Sequence, residues 1–191
     1  ADAEFAQSQG IKNIYVLNDK EAYGLGVATN FRDAAESLGI KIAGFEAWDP
    51  KATSYTSQMQ KIKSTGADAV FLGGIICNNG GKLIKDLRAG LPGSVTIFAP
   101  DGFTPIDAAT IKTSGPASEG MYITQPGIPS DQLTGAGKTF VEDFTKENGK
   151  EPDPYTNYAA QAADVLLTAI DEAKAERSNV AQHLFNQDVK D

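Results

Sequence analysis

Short apolar runs alternate with longer segments of helical periodicity along the first two thirds of the sequence. The apolar runs are residues 14–18, 42–48, 67–74, 94–100 and 121–124. The helical segments between them are residues 23–38, 57–66 and 80–90. This alternation is typical of strands and helices that build a parallel sheet with helices on both faces. The sequence therefore predicts an α/β fold with a doubly wound parallel sheet.

The first helical segment carries apolar side chains at spacings that suit one face of a helix. We expect this buried face to consist of Leu25, Phe31, Ala34, Ala35 and Leu38. Gly39 then ends the helix, because glycine readily adopts the left-handed conformation that closes a last turn.

Composition and charge exclude several classes of partner. The 191 residues carry a net charge of −8, so the chain lacks the clustered lysines and arginines that bind nucleic acid. The lone cysteine, Cys77, excludes an intramolecular disulfide and a zinc site built from cysteines. No apolar run approaches the length of about 18 residues that a membrane span needs. The first ten residues lack the layout of a signal peptide, and we expect the chain to be part of a larger protein.

Two glycine-lysine stretches have the look of phosphate-binding loops but lack residues that such loops require. In residues 70–83, Ile76 stands where the first glycine belongs, and Leu83 replaces the hydroxyl residue that would hold magnesium. In residues 132–139, Gln132 stands at the position of the first glycine. Neither stretch predicts a nucleotide site.

Dinucleotide binding and catalysis are equally unsupported. Residues 24–29 begin like a dinucleotide fingerprint, but Thr29 stands where the third glycine should pack, and Asp19 and Glu21 would repel a pyrophosphate. The only histidine, His183, lies near the end of the chain, far in sequence from any nucleophile. The acidic residues show no calcium-binding spacing. We expect no cofactor and no metal.

A ligand of an open parallel sheet binds at the carboxyl ends of the strands. This rule selects three loops, residues 18–26, 73–81 and 100–105. The side chains expected to meet a small molecule there are Tyr23, Ile75, Ile76, Cys77, Asp101 and Phe103. Four glycines of the second loop are expected to bend the backbone closely around the crevice; they are residues 73, 74, 80 and 81.

Each of the three polar candidates has a structural alternative. Asp101 pairs with a ligand ammonium or caps a helical turn after the fourth strand. Tyr23 contacts the ligand or packs across the start of a helix. Cys77 is a nucleophile or a small apolar residue in the crevice wall.

The character of the sequence changes after residue 124. A proline-rich bridge leads to helical segments at residues 137–148, 155–173 and 180–185, with no convincing strand between them. Their apolar stripes require a partner surface, which is this sheet, another subunit or a lobe outside the chain. We expect the last of these.

Five stretches occur in an order that resembles one known family. They are NDKEAYGLG, FLGG, APDGF, SEGMYIT and DPYTNYAAQAADVLLTAIDEA. Together they resemble the solute-binding receptors of branched-chain amino acid ABC transporters, the Leu/Ile/Val-binding type of periplasmic binding protein. The resemblance covers nearly the whole chain. It implies a Rossmann-like lobe at residues 1–124 and a helical return segment at residues 125–191 that packs on a first lobe outside this chain.

The resemblance also implies a function without catalysis. Receptors of this type bury a small solute between two lobes and deliver it to an ABC permease, outside the cytoplasm and in some cases from a lipid anchor. Tyr23 matches the tyrosine of the family's cleft, and Asp101 matches the acid that binds the ligand's α-ammonium. Ile75 and Ile76 stand where the family often has an aromatic residue, which makes the pocket broader and more aliphatic. A sensory domain of the same fold without a permease, and a small α/β hydrolase using Cys77 or Asp101, are the alternatives.

Overall fold

A computed structural model describes residues 1–153, 155–174 and 176–186 of the chain. The chain divides into two compact units, Ala1–Pro126 and Gly127–Asp191, called unit 1 and unit 2 below. None of the described helices is both long enough and apolar enough to cross a membrane.

Unit 1 contains a sheet whose strands are all parallel. Within the described residues, five strands lie in the order β2-β1-β3-β4-β5. They are β1 (Asn13–Asn18), β2 (Lys41–Ala47), β3 (Ala69–Gly73), β4 (Thr96–Ala99) and β5 (Tyr122–Ile123). The helices are α1 (Asp2–Ser8), α2 (Ala22–Ser37), α3 (Thr56–Ser64), α4 (Gly81–Gly90) and the short α5 (Lys112–Ser114). The structure thus confirms the predicted α/β fold with a parallel sheet.

Successive residues of β1 face opposite sides of the sheet. Ile14 and Val16 pack in one apolar cluster, and Tyr15 and Leu17 pack in the other. The neighbouring strand β3 is buried along its whole length. Parallel strands that are covered on both faces need apolar residues at every position, which explains the unbroken apolar runs in the sequence.

The buried face of α2 differs in part from the predicted one. Its buried residues are Gly24, Ala28, Phe31 and Ala35. Phe31 stacks on Phe71 of β3, with 3.9 Å between the ring centroids. Leu25 and Ala34, which the sequence assigned to this face, are exposed. Each lies one residue from the buried stripe, which corresponds to a rotation of about 100° around the helix.

Tight turns follow β3 and β4 at the carboxyl edge of the sheet. Ile76–Gly80 forms a distorted helical turn after β3, in which Asn79 adopts a φ of 63°. Asp101–Phe103 forms a 3-10 turn after β4. The side chain of Asn79 donates hydrogen bonds to the carbonyl oxygen of Ala52 and to the hydroxyl of Tyr55, and so ties the first turn to the start of α3.

Unit 2 is helical in the part that the structure describes. Its helices are α6 (Gly135–Asn148), α7 (Thr156–Glu172) and α8 (Arg177–Asn186). The Tyr158 hydroxyl of α7 accepts a hydrogen bond of 2.6 Å from the backbone N–H of Ile128. His183 Nδ1 lies 3.5 Å from Glu172 Oε2, so the histidine interacts within its own unit. Leu166, Leu167 and Ile170 leave an apolar surface exposed along α7.

An ion pair on α4 makes part of the stability of unit 1 dependent on pH. Oδ2 of Asp86 accepts a hydrogen bond of 2.7 Å from the backbone N–H of Tyr55, and Lys82 Nζ lies 3.0 Å from Oδ1. Partial burial favours the neutral acid, but the Tyr55 N–H and the Lys82 ammonium outweigh it and hold the pKa of Asp86 below its ordinary value. A lowered folded-state pKa stabilises the fold above the unfolded-state pKa of about 3.9. The stabilisation is lost as the pH falls through the folded-state pKa.

We expect Asp86→Asn to destabilise the protein near neutral pH and to matter progressively less in acid. The difference in free energy of unfolding between wild type and variant should be full at a pH of about 6 and should shrink below about 4. Urea unfolding across this range measures it. Lys82→Met should lower the stability in the same pH window, and the double variant should lose less than the sum of the two. A difference that stays constant with pH would contradict this assignment.

Candidate functional site

Three parallel strands of unit 1 end at the same edge of the sheet. Asn18, the last residue of β1, lies opposite Gly73, the last residue of β3. β4 ends at Ala99, one residue beyond the pair formed by Phe71 and Phe98. The loops that follow these strands therefore converge at the carboxyl edge, where open α/β sheets bind their ligands.

Tyr23 and Asp101 come from two of these loops, and their side chains meet. Tyr23 lies in the first turn of α2, and its hydroxyl donates a hydrogen bond of 2.5 Å to Oδ1 of Asp101. Tyr23 is 41% exposed and Asp101 is partly exposed, so a solute has access to both. The residues that precede the two helical turns after β4 are Pro100 and Pro105, and neither caps its turn with a side chain, whereas the Asp101 carboxylate accepts the hydrogen bond of Tyr23.

A fully buried carboxylate, Asp19, connects the loops after β1 and β3. Its Oδ1 accepts a hydrogen bond of 3.1 Å from the backbone N–H of Glu21. Its Oδ2 accepts one of 3.1 Å from the backbone N–H of Ile75 and one of 2.8 Å from the side-chain amide of Asn78. The sequence pattern indicates Asp19 only as a charge unfavourable to a pyrophosphate and gives no sign of the connection between the two loops. An aspartate two residues before the N–H that its side chain accepts is a common turn signal, and it could have indicated half of the arrangement.

Glycines make room for the Asp19 carboxylate. A Cβ added at Gly74 would lie 2.6 Å from Oδ2 of Asp19 and 2.5 Å from the ring of Trp48. A Cβ added at Gly24 would lie 2.8 Å from Cγ of Asp19. The Trp48 indole in turn donates a hydrogen bond of 2.8 Å to the carbonyl oxygen of Asn78. Close packing of protein groups is thus the reason for glycine at positions 24 and 74.

The other predicted residues divide into two groups. Ile75 is partly buried and Cys77 is exposed, so both stay candidates for contact with a solute. Ile76 and Phe103 belong instead to the apolar core, and Phe103 is 0% exposed. The 3-10 turn at Asp101–Phe103 leaves Asp101 partly exposed and places Phe103 in the core with Leu83 and Leu87 of α4, so Ile76 and Phe103 offer a solute little surface in this structure.

None of the candidate residues lines either of two concavities found elsewhere in the chain. A cavity of about 480 Å³ in unit 1 is bordered by residues such as Ile106, Ile111 and Met121. A cavity of about 620 Å³ in unit 2 lies between α6 and α7. Among the described residues, no group of three or more His, Cys, Asp or Glu side chains is placed to hold a metal ion.

Comparison with known proteins shows the family. A family model described as periplasmic binding protein matches residues 3–190. The chain belongs to this family. Periplasmic binding proteins are extracytoplasmic solute-binding receptors rather than enzymes, so the family does not favour the hydrolase alternative.

Curated relatives support a more specific relationship within the family. The leucine-, isoleucine-, valine-, threonine- and alanine-binding protein of Pseudomonas aeruginosa is 30% identical over 174 residues, which are 91% of this chain and 45% of that protein. Leu/Ile/Val-binding protein homolog 1 of Brucella suis is 29% identical over 171 residues, which are 90% of this chain and 43% of that protein. The chain therefore spans less than half the length of these relatives.

Solved structures agree with the sequence relatives. A leucine-binding protein from Thermotoga maritima matches with a TM-score of 0.84 at 25% identity, over 95% of this chain and 51% of that one. An ABC transporter substrate-binding protein from Desulfitobacterium hafniense, solved in complex with Leu, matches with a TM-score of 0.75 at 21% identity, over 95% and 51% of the two chains. The second match shows the fold alone. Together, these findings confirm the type I periplasmic binding protein fold and the resemblance to branched-chain amino acid receptors.

Proposed function

We propose that this chain forms the ligand-binding lobe of an extracytoplasmic receptor that binds an amino acid, branched-chain or similar, or a related small organic solute for an ABC importer. The observation that carries the proposal is the pairing of Tyr23 and Asp101 at the carboxyl edge of the sheet, with 2.5 Å between hydroxyl and carboxylate oxygens. A carboxylate held there is suited to a solute ammonium, because a hydrogen bond between charged groups is about twice as strong as a neutral one.

The chemistry of the wall supports an aliphatic solute with an amine. Ile75 and Cys77 lie in the loop after β3, which comes between the loop of Tyr23 and the loop of Asp101 along the chain. Neither residue carries a charge that would compete with Asp101. We infer that Asp101 binds the ammonium, that Tyr23 holds the carboxylate in place, and that Ile75 and Cys77 contact the apolar part of the solute.

The mechanism we propose is closure of two lobes on the solute, the hinge motion that is described for periplasmic binding proteins in general. Because the solute contacts both walls only in the closed state, its binding shifts the population from open to closed. The permease would recognise the closed state, and a lipid anchor outside residues 1–191 would keep the receptor at the membrane.

Residues 125–191 receive a separate role in this proposal. We propose that unit 2 covers the other lobe, because α7 exposes Leu166, Leu167 and Ile170 and because the relatives are about twice as long as this chain. On the same grounds, residues 1–124 form the lobe that carries the ligand wall.

Calorimetric titration with matched solutes tests the function, and it uses the intact protein, in which residues 1–191 are joined to the other lobe. We expect leucine or another aliphatic amino acid to bind with a micromolar Kd, about 8 kcal/mol of binding free energy. Isocaproate has the carbon skeleton of leucine without its amine and should bind far more weakly. Residues 1–191 alone should bind weakly, since they provide one wall. Equal affinity for leucine and isocaproate would contradict the role of Asp101, and tight binding by the isolated chain would contradict the two-lobe mechanism.

A further inference from the structure

The Asp19 carboxylate forms hydrogen bonds that join the loop that carries Tyr23 to the loop that carries Ile75. One oxygen holds the Glu21 N–H at the start of α2, and the other holds the Ile75 N–H and the Asn78 amide. The backbone N–H of Asp19 also donates a hydrogen bond of 3.1 Å to the carbonyl oxygen of Gly73. The backbone of Asp19 is therefore fixed to the end of β3, and its side chain is fixed to the loop that follows.

We propose that Asp19 is a positioning residue for solute recognition, which sets the separation between the Tyr23 and Ile75 walls of the site. The proposal rests on the function proposed above. Asp19 is fully buried and does not touch the solute, so its effect on affinity passes through the two loops. A site whose contacts are held in place before binding gains affinity, because less ordering is needed when the ligand arrives.

The surroundings of Asp19 leave its carboxylate little freedom to adjust. Gly24 lies against it on the side of α2, and Gly74 lies against it on the side of β3. Asn78, which donates to Oδ2, also presents its carbonyl oxygen to the indole N–H of Trp48 at 2.8 Å. Trp48 is the only tryptophan of the chain and is fully buried, so its fluorescence reports directly on the loop that Asp19 holds.

The chain offers a matched control at the opposite edge of the sheet. Asp68 also accepts backbone hydrogen bonds, from the N–H groups of Lys12 at 3.1 Å and Asn13 at 3.0 Å. Asn13 begins β1, whereas Asp19 follows its end, so Asp68 lies away from the ligand edge. A substitution at Asp68 removes a comparable carboxylate without altering the loops after β1 and β3.

The test compares Asp19→Asn and Asp68→Asn in the intact protein. Asparagine keeps the size of the side chain but turns one acceptor oxygen into a donor that faces other N–H groups. We expect Asp19→Asn to raise the Kd of the best-bound amino acid by roughly tenfold or more, and to shift the Trp48 emission to longer wavelength as the loop loosens. Asp68→Asn should leave the Kd and the emission unchanged, even if it lowers the unfolding midpoint.

A second variant keeps the proposal testable if Asp19→Asn does not fold. Asn78→Ala removes one of the three hydrogen bonds to Asp19 and should change the Kd and the emission in the same direction, by less. An unchanged Kd in folded Asp19→Asn or Asn78→Ala overturns the proposal, as does an equal rise in Asp68→Asn.

Failure of the proposed function has a different signature. If the wild-type protein binds neither leucine nor another aliphatic amino acid, the proposed function fails. The loop geometry is then still judged by Trp48 emission and by hydrogen exchange at the Ile75 amide. If Asp19→Asn has the same Trp48 emission and the same exchange rate at the Ile75 amide as wild type, the positioning role is overturned, and this measurement needs no solute. Faster exchange at Ile75 in Asp19→Asn but not in Asp68→Asn supports it.

Discussion

Replacing Asp101 by alanine in the intact protein is expected to weaken the binding of an amine-bearing solute by at least about 30-fold, which corresponds to 2 kcal/mol or more. The closed cleft removes the solute ammonium from water, and without the carboxylate that charge loses its partner. The same substitution removes the hydrogen bond that the Tyr23 hydroxyl donates to Oδ1 of Asp101. Calorimetric titration with the best-bound amino acid measures the change.

Asp107→Ala is the matched control for Asp101. Asp107 lies six residues further along the same segment, is exposed, and belongs to the turn Ile106–Ile111. Its replacement should leave the Kd unchanged. Tyr23→Phe should weaken binding less than Asp101→Ala does, because the ring and the carboxylate stay in place. Equal affinities of wild type and Asp101→Ala would exclude this residue from the site.

Truncation of Phe103 to alanine should lower the free energy of unfolding by about 3–5 kcal/mol, the usual cost of removing a buried aromatic ring. Phe103 is 0% exposed and packs in the cluster that also contains Leu83 and Leu87 of α4. The carbonyl oxygen of Phe103 accepts a hydrogen bond of 2.6 Å from the buried Thr110 hydroxyl, so the backbone of Phe103 is fixed as well as its ring. Denaturant unfolding followed by Trp48 fluorescence reports on unit 1.

Phe185 provides the comparison for Phe103. It is 91% exposed on α8, and Phe185→Ala should change the stability by no more than about 0.5 kcal/mol. If Phe103→Ala kept wild-type stability and instead raised the Kd of the solute, the ring would belong to the ligand wall, as the sequence had indicated.

The parallel sheet and the convergence of its loops at one edge could be predicted because they depend on patterns that repeat along the chain. Apolar runs of strand length followed by amphipathic segments admit few topologies, and the topology alone brings the loops after β1, β3 and β4 to one edge. The position of Asp101 directly after a buried strand was then enough to place it beside the loop that carries Tyr23. No contact energy had to be known for this step.

The direction of side chains within those loops could not be predicted in the same way. Asp101 and Phe103 are two residues apart in a 3-10 turn, yet one faces Tyr23 and the other enters the core. The burial of Asp19 depends on donors 56 and 59 residues further along the chain, the N–H of Ile75 and the amide of Asn78. The spacing of residues along the sequence does not predict hydrogen-bond partners so far apart. From its neighbours in sequence alone, Asp19 is therefore expected to be an exposed charge.

The two outermost strands of the sheet are short or carry charged side chains. In the part of the chain that the structure describes, β5 has two residues and pairs with β4 only. β2, at the other side, carries Glu46, which forms an ion pair with Lys61, and its Phe45 ring lies under the guanidinium of Arg32. Short or charged margins of this kind offer a poor template for strand addition. Such margins therefore make edge-to-edge aggregation of this apolar sheet unfavourable.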